Sequence, residues 1–189
     1  MTPTENLKSE HNDIKELLNI MSKIAGNIKS KDVFYTSDVE DIIDFLKFFI
    51  EKSHHGKEEV FYPALEFAGI PKEAESLSVM MYEHSLAKNY LKDIDSCVVN
   101  CKIGNSFSGE MLADSLTNYV ALIKNHIQKE EEIIFPLADT ELSHEKQIEI
   151  AEEFERIEEK IIHHSFHDHY NKLLKELQSK YSDLNKNPL

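Results

Sequence analysis

SHHGKEEVFYP, residues 53–63, sets two adjacent histidines four residues ahead of two adjacent glutamates and closes on an aromatic pair and a proline. A His and a Glu four apart share one face of an α-helix, and stepping back by four from Glu58 and His54 gives Ile50, Leu46 and Ile42, an unbroken apolar track. The neighbouring track, Phe48, Lys52, His55, Glu59, passes through a lysine that belongs in water. His54 and Glu58 are therefore expected to point inward and His55 and Glu59 to sit at the rim; a slightly rotated helix would exchange the two pairs.

Working outward, apolar periodicity and punctuation predict five helical segments. They cover 4–28, 37–67, 72–102, 108–138 and a heavily charged fifth at 143–181 that breaks near the His-rich stretch 162–167. Ser37 is the expected N-cap of the second, with Glu40 three residues on as its capping-box partner. Only five Gly and five Pro stand among 189 residues, so the chain reads as all-α. Four long amphipathic helices with short connections imply an antiparallel up-down-up-down four-helix bundle with an additional C-terminal helix. Residues 1–140 would form the bundle and 141–189 a helical extension packing on it.

A formal charge of −14 and the lack of any basic patch exclude nucleic acid as a partner, since a phosphate backbone would be repelled. No apolar run is long enough for a membrane span, and the N-terminal residues do not read as a signal peptide, so a cytoplasmic setting is expected. The two cysteines, Cys97 and Cys101, lie four apart in a helix and read as reduced thiols.

The histidines fall on the apolar stripes. His11 lies within Leu7, Ile14, Leu18, Met21; His84 within Leu77, Met80, Met81, Ala87, Leu91; and His126 with Glu130 within Leu112, Leu116, Tyr119, Ile123, Ile133, Leu137. A lone His on such a stripe is usually a satisfied core residue. Here there is one on each of four stripes, and two are followed by Glu one turn later, in HHGKEE and HIQKEE. Burying Glu58 and Glu130 uncompensated costs several kcal/mol apiece, as an order of magnitude, and Lys88 is the nearest basic residue. Two divalent or trivalent cations would neutralise them, and a mixed imidazole and carboxylate set suits iron or manganese. The Glu-x-x-His pattern of ferritin-like proteins fits once, at Glu51 and His54, and fails at Ile123. Metalloprotease and phosphate-loop signatures are absent.

These residues resemble a known family, the hemerythrin-like HHE cation-binding domains, over about residues 4–138. The similarity rests on Glu10-His11, SHHGKEEVFYP, Glu83-His84 and NHIQKEEEIIFP at 125–136. It implies two iron ions in a non-haem di-iron centre, with His11, His54, His84 and His126 as terminal ligands and Glu58 and Glu130 as bridging carboxylates. Oxygen-carrying members use a further His one turn after the third-helix ligand, where this chain has Lys88. The remaining set is more similar to the iron-cluster repair, nitric-oxide-responsive and iron-sensing branches. The implied function is binding of, or reaction with, a small oxidant such as O2, NO or peroxide; the alternatives are reversible binding or iron sensing without turnover, and a metal-free scaffold. His163 and His167, at i, i+4 spacing near His164 and His169, could present a further ligand, although an exposed tract packing Phe166, Tyr170, Leu173 and Leu174 on the bundle is favoured.

Overall fold

The computed structural model describes residues 1–69, 77–105, 107–161 and 164–183, with the side chains of 164–168 and 182–183 outside the description. Every regular element among these residues is helical. Helix α1 spans Pro3–Ser30, and its start is over-determined. Thr2 Oγ1 accepts from the Glu5 amide at 3.2 Å while Glu5 Oε2 accepts from the Thr2 amide at 2.8 Å, and Pro3 occupies a position whose amide would have no helical partner. Lys31, in the left-handed region at φ 62°, ends it.

The second rod is α2 (Thr36–Phe45), a π-helical segment (Leu46–His54) and α3 (His55–Phe67). The expected cap at Ser37 is not used. The helix begins at Thr36 behind Tyr35, which makes no side-chain capping bond, and Glu40 is drawn instead to Lys102 at 2.5 Å. Helix α4 spans Leu77–Lys102; residues 72–76 of the expected third helix lie outside the described residues. The fourth rod is α5 (Ser108–Lys129), a second π-helical segment (Glu130–Ile134) and α6 (Phe135–Glu141). The charged tail forms two helices, α7 (His144–Ile161) and α8 (His164–Asp183).

Helix α5 packs on α1 and α4, and α4 on α2. Helix α7 lies on α3, the first π segment and α1, whereas α8 lies on α1 and α2. The apolar interior is divided into two clusters. One holds Ile14, Met21, Ile50, Ala87 and Ile127; the other holds Leu7, Phe61, Met80, Ile134 and Phe135. On each rod the candidate His or Glu falls where one cluster gives way to the other: His11 between Leu7 and Ile14, His54 and Glu58 between Ile50 and Phe61, His84 between Met80 and Ala87, Glu130 between Ile127 and Ile134. A polar layer is thus clamped between two apolar ones.

Candidate metal centre

All six residues singled out from the sequence reach this layer. His11 comes from α1, His54 from the end of the first π segment, Glu58 from α3, His84 from α4, His126 from α5, and Glu130 from the start of the second π segment. All are buried, His11, Glu58 and Glu130 to 0% exposure. Together with His55, their donor atoms form two groups in which every atom lies within 4.8 Å of the others: His11, His54, Glu58 and Glu130 in one, His55, Glu58, His84 and His126 in the other. Glu58 belongs to both. Its Oε1 is 2.9 Å from His54 Nε2 and its Oε2 is 2.8 Å from His84 Nε2. Glu130 Oε2 is 3.2 Å from His11 Nε2 and 3.7 Å from His126 Nε2, while its Oε1 accepts a 2.5 Å hydrogen bond from the Tyr62 hydroxyl.

His55 corrects the expectation of a rim residue. It is 1% exposed, and its ring stacks on that of His84 with centroids 3.9 Å apart and planes 11° from parallel. The reason is the π-helical run that ends at His54. A turn closed by i→i+5 bonds holds more residues than an α-turn, so consecutive residues rotate less about the axis and two neighbouring histidines can both face inward. Glu59 stays at the surface, with its side chain about half exposed. Lys88 is also about half exposed, 3.8 Å from Glu51 and 3.9 Å from Glu59, and among the described residues makes no ion pair with Glu58 or Glu130. A fifth buried imidazole is thus present on the second rod, at His55, where position 88 has none.

The same widening corrects the fourth rod. At the end of the second π segment the buried residue is Ile134, whereas Ile133, expected inside, is 40% exposed. Pro136 follows at once; it has no amide to give Glu132 and its ring crowds that carbonyl, so a widened turn accommodates it. On α4, Met81 is likewise exposed while Met80 is buried. His163 lies outside the described residues, as does the side chain of His167; His169 is exposed.

Outer carboxylates orient three of the imidazoles. Nδ1 of His11 meets Glu131 at 2.9 Å, of His54 Glu10 at 2.7 Å, and of His126 Glu83 at 3.0 Å. Carboxylates only accept, so each Nδ1 carries a proton and each Nε2 is turned toward the centre. Each carboxylate is in turn held by a lysine: Glu131 by Lys15 at 2.7 Å, Glu10 by Lys57 at 2.5 Å, and Glu83 by Lys129. Sequence reasoning missed these partners. The signal was present in the paired Glu10-His11 and Glu83-His84, where adjacent residues point in different directions around a helix. Each glutamate therefore serves a histidine on another rod.

Burial disfavours charge on His54, yet Glu58 and Glu10 outweigh it and raise the imidazole to about 10. Burial likewise opposes charge on His126, and Glu130, Glu58 and Glu83 raise it to about 10. His55, surrounded by burial and by the imidazoles of His84 and His126, is driven well below the usual histidine range. Burial raises Glu51 to about 7, Lys88 offsetting part of the shift and Glu58 and Glu59 adding to it. Without metal, the carboxylates are neutralised by protons on the imidazoles. The arrangement nevertheless leaves donors over. His11 Nε2, His54 Nε2, both Glu58 oxygens and Glu130 Oε2 are buried without a hydrogen-bond partner, although they lie 2.8–3.7 Å from one another's residues. Buried polar atoms are rarely left so. Such close-set atoms could hold a metal ion as a third body between them, and five imidazoles with two carboxylates suit a cation that prefers mixed N and O ligands.

Comparison with known proteins bears on what that body is. Residues 2–138 match the hemerythrin HHE cation-binding domain family. This chain belongs to that family. The chain is also similar to uncharacterized proteins of Mycobacterium bovis and of two strains of Mycobacterium tuberculosis, each 23% identical over 156 residues covering 82% of this chain and 60% of theirs. The chain thus spans less than two thirds of the length of these curated relatives. No solved structure matches at a comparable level of significance. Membership of the hemerythrin HHE family implies cation binding, and the His and Glu clusters are the groups that could provide it. Among the described residues no helix is long and apolar enough to cross a membrane.

Proposed function

We propose that this hemerythrin-family protein holds a non-haem di-iron centre, that His11, His54, Glu130 and the shared Glu58 hold one ion and His55, His84, His126 and Glu58 the other, and that the centre binds or reacts with a small oxidant, O2, NO or peroxide, in a stress-response or iron-handling role. The observation carrying this reading is the sharing of Glu58 between two buried His and Glu groups. Four rods running alternately up and down, α1, α2–α3, α4 and α5–α6, would deliver one to three of these ligands each. A ferrous pair bound there would supply reducing electrons and an open coordination position for a diatomic molecule. The protein's own part is positioning and exclusion. Phe61 and Phe135 on one side and Ile50 and Ile127 on the other keep bulk water out, the outer glutamates fix the imidazole rings, and Tyr62 holds one oxygen of Glu130 so that the other faces inward.

Reversible binding without turnover is the second reading, and His55 favours it: a fifth imidazole removes the ligand-count argument drawn from Lys88. Iron analysis of protein from iron-supplemented culture tests the centre itself, with about two irons per chain expected and well under one sinking it. Stopped-flow mixing of the reduced protein with O2 and with NO separates the two readings. Irreversible oxidation with turnover supports reaction; an adduct that dissociates when the gas is removed supports binding.

A further inference from the structure

Lys57, on α3, is fully buried beside the centre, and its ammonium is shared among three groups on two other helices. Nζ donates to Asn6 Oδ1 at 2.8 Å and Glu10 Oε1 at 2.5 Å, both on α1, and to Glu158 on α7, with the Phe154 ring of α7 centred 5.6 Å away. The other oxygen of Glu10 is the one that holds His54 Nδ1 at 2.7 Å. Four charged or polar groups therefore run in unbroken contact from α7 to the centre: Glu158, Lys57, Glu10, His54. Helix α7 lies beyond the residues that match the hemerythrin family, so nothing in that match assigns it a part in the centre.

We propose that α7 is a latch on the metal centre, in which docking of this helix and iron occupancy depend on each other through Glu158, Lys57, Glu10 and His54; the inference rests on the di-iron reading above. A buried ammonium must be matched by negative charge. With α7 docked, Glu158 supplies that charge on one side and leaves Glu10 free to aim its second oxygen at His54. With Glu158 withdrawn, Glu10 is the one carboxylate left on Lys57 among its described partners, and its hold on the imidazole shifts. Coupling of this kind is reciprocal: whatever α7 docking adds to iron retention, iron adds to α7 docking. Glu158 is accordingly a positioning residue, and α7 reports whether the centre is filled.

The test compares wild type, Glu158→Gln and, as control, Glu153→Gln, whose half-exposed carboxylate pairs with Arg156 of the same helix and makes no contact with Lys57 among the described residues. Release of iron to a ferrous chelator is expected to be about threefold to tenfold faster in Glu158→Gln, less than the loss typical of a direct partner of a ligand, and unchanged in Glu153→Gln. Amide exchange across 144–161 is expected to be slower in iron-loaded than in metal-free wild type, with the difference shrinking in Glu158→Gln. Wild-type release from Glu158→Gln overturns the latch, and so does equal exchange with and without iron. The second comparison needs no variant, so it decides even where Glu158→Gln fails to fold. Wild type that takes up no iron overturns the di-iron reading and the latch together, a result read from metal content before any variant is made.

Discussion

Glu58 and Glu130 are buried completely, and every other feature of the polar layer can be read as an answer to their charge. In the metal-free protein that answer is a proton on His54 and another on His126, each imidazole held at about 10 against a usual value of 6.5. Raised folded-state values mean that this stabilisation is complete below pH 6.5 and is lost as pH rises through about 10. Chelated protein should therefore unfold at a lower denaturant midpoint at pH 10 than at pH 6.5, measured with the slope held constant; a midpoint that rises over this interval contradicts the assignment. Iron needs the bare nitrogen, so loading between these limits should release protons, seen as acidification of a weakly buffered solution, and apparent affinity should climb with pH. His55→Ala addresses the residue that periodicity misplaced. Iron should fall from about two to about one per chain, because the group with His11, His54 and Glu130 keeps its donors; retention of both irons would remove His55 from the centre. His11, His84 and His126 were legible in the sequence because each stands on a straight α-helical stripe. His55 was not, because its position depends on a change of helical pitch that no residue type announces.

Two π-helical runs, ending at His54 and beginning at Glu130, touch the centre directly. Each shifts the inward face along its rod, which is why a strict period of 3.6 located the rods but misassigned residues within or just after the shift. Ile133 and Ile134 give the sharpest test, since one residue of register separates them. Ile134→Ala should destabilise the protein by about 2–4 kcal/mol, the usual loss for a truncated core isoleucine. Ile133→Ala should stay within about 0.5 kcal/mol, as exposed positions do. Equilibrium denaturation of the two variants measures both, and the reverse order would mean that the rod is a regular α-helix. Local capping was read less well than periodicity for a related reason. Ser37 and Glu40 satisfy the capping pattern, but Lys102 on α4 competes for Glu40, and a contact across helices is invisible in a local motif. At Thr2 and Glu5 no such competitor intervenes and the capping box forms.

Helices α7 and α8 enter both apolar clusters rather than lying apart from them. Ile150 and Phe154 join Leu7 and Phe61 in one, while Tyr170, Leu173, Leu174, Leu177 and Tyr181 join Ile14 and Phe45 in the other. Phe154 meets Phe61 edge-on at 6.5 Å, Tyr170 meets Phe45 at 4.9 Å, and the Tyr181 hydroxyl donates to Asp38 at 2.6 Å. Burial of a large apolar side chain contributes about 1.5–3 kcal/mol. Seven of them together exceed, as an order of magnitude, the margin of about 5–15 kcal/mol by which a domain is stable. The extension and the residues that match the hemerythrin family should accordingly melt as one unit. Scanning calorimetry of the full chain should give a single transition whose calorimetric and van't Hoff enthalpies agree. A chain ending at Leu142 keeps all the candidate ligands yet uncovers Phe61 and Phe45 and deprives Lys57 of Glu158. Its melting temperature should fall by more than about 10 °C, with iron released to chelator faster than from the full chain. Should the shortened chain instead melt where the full chain does and hold iron as firmly, the last two helices would be passengers, and stability and metal retention would both belong to the four rods alone.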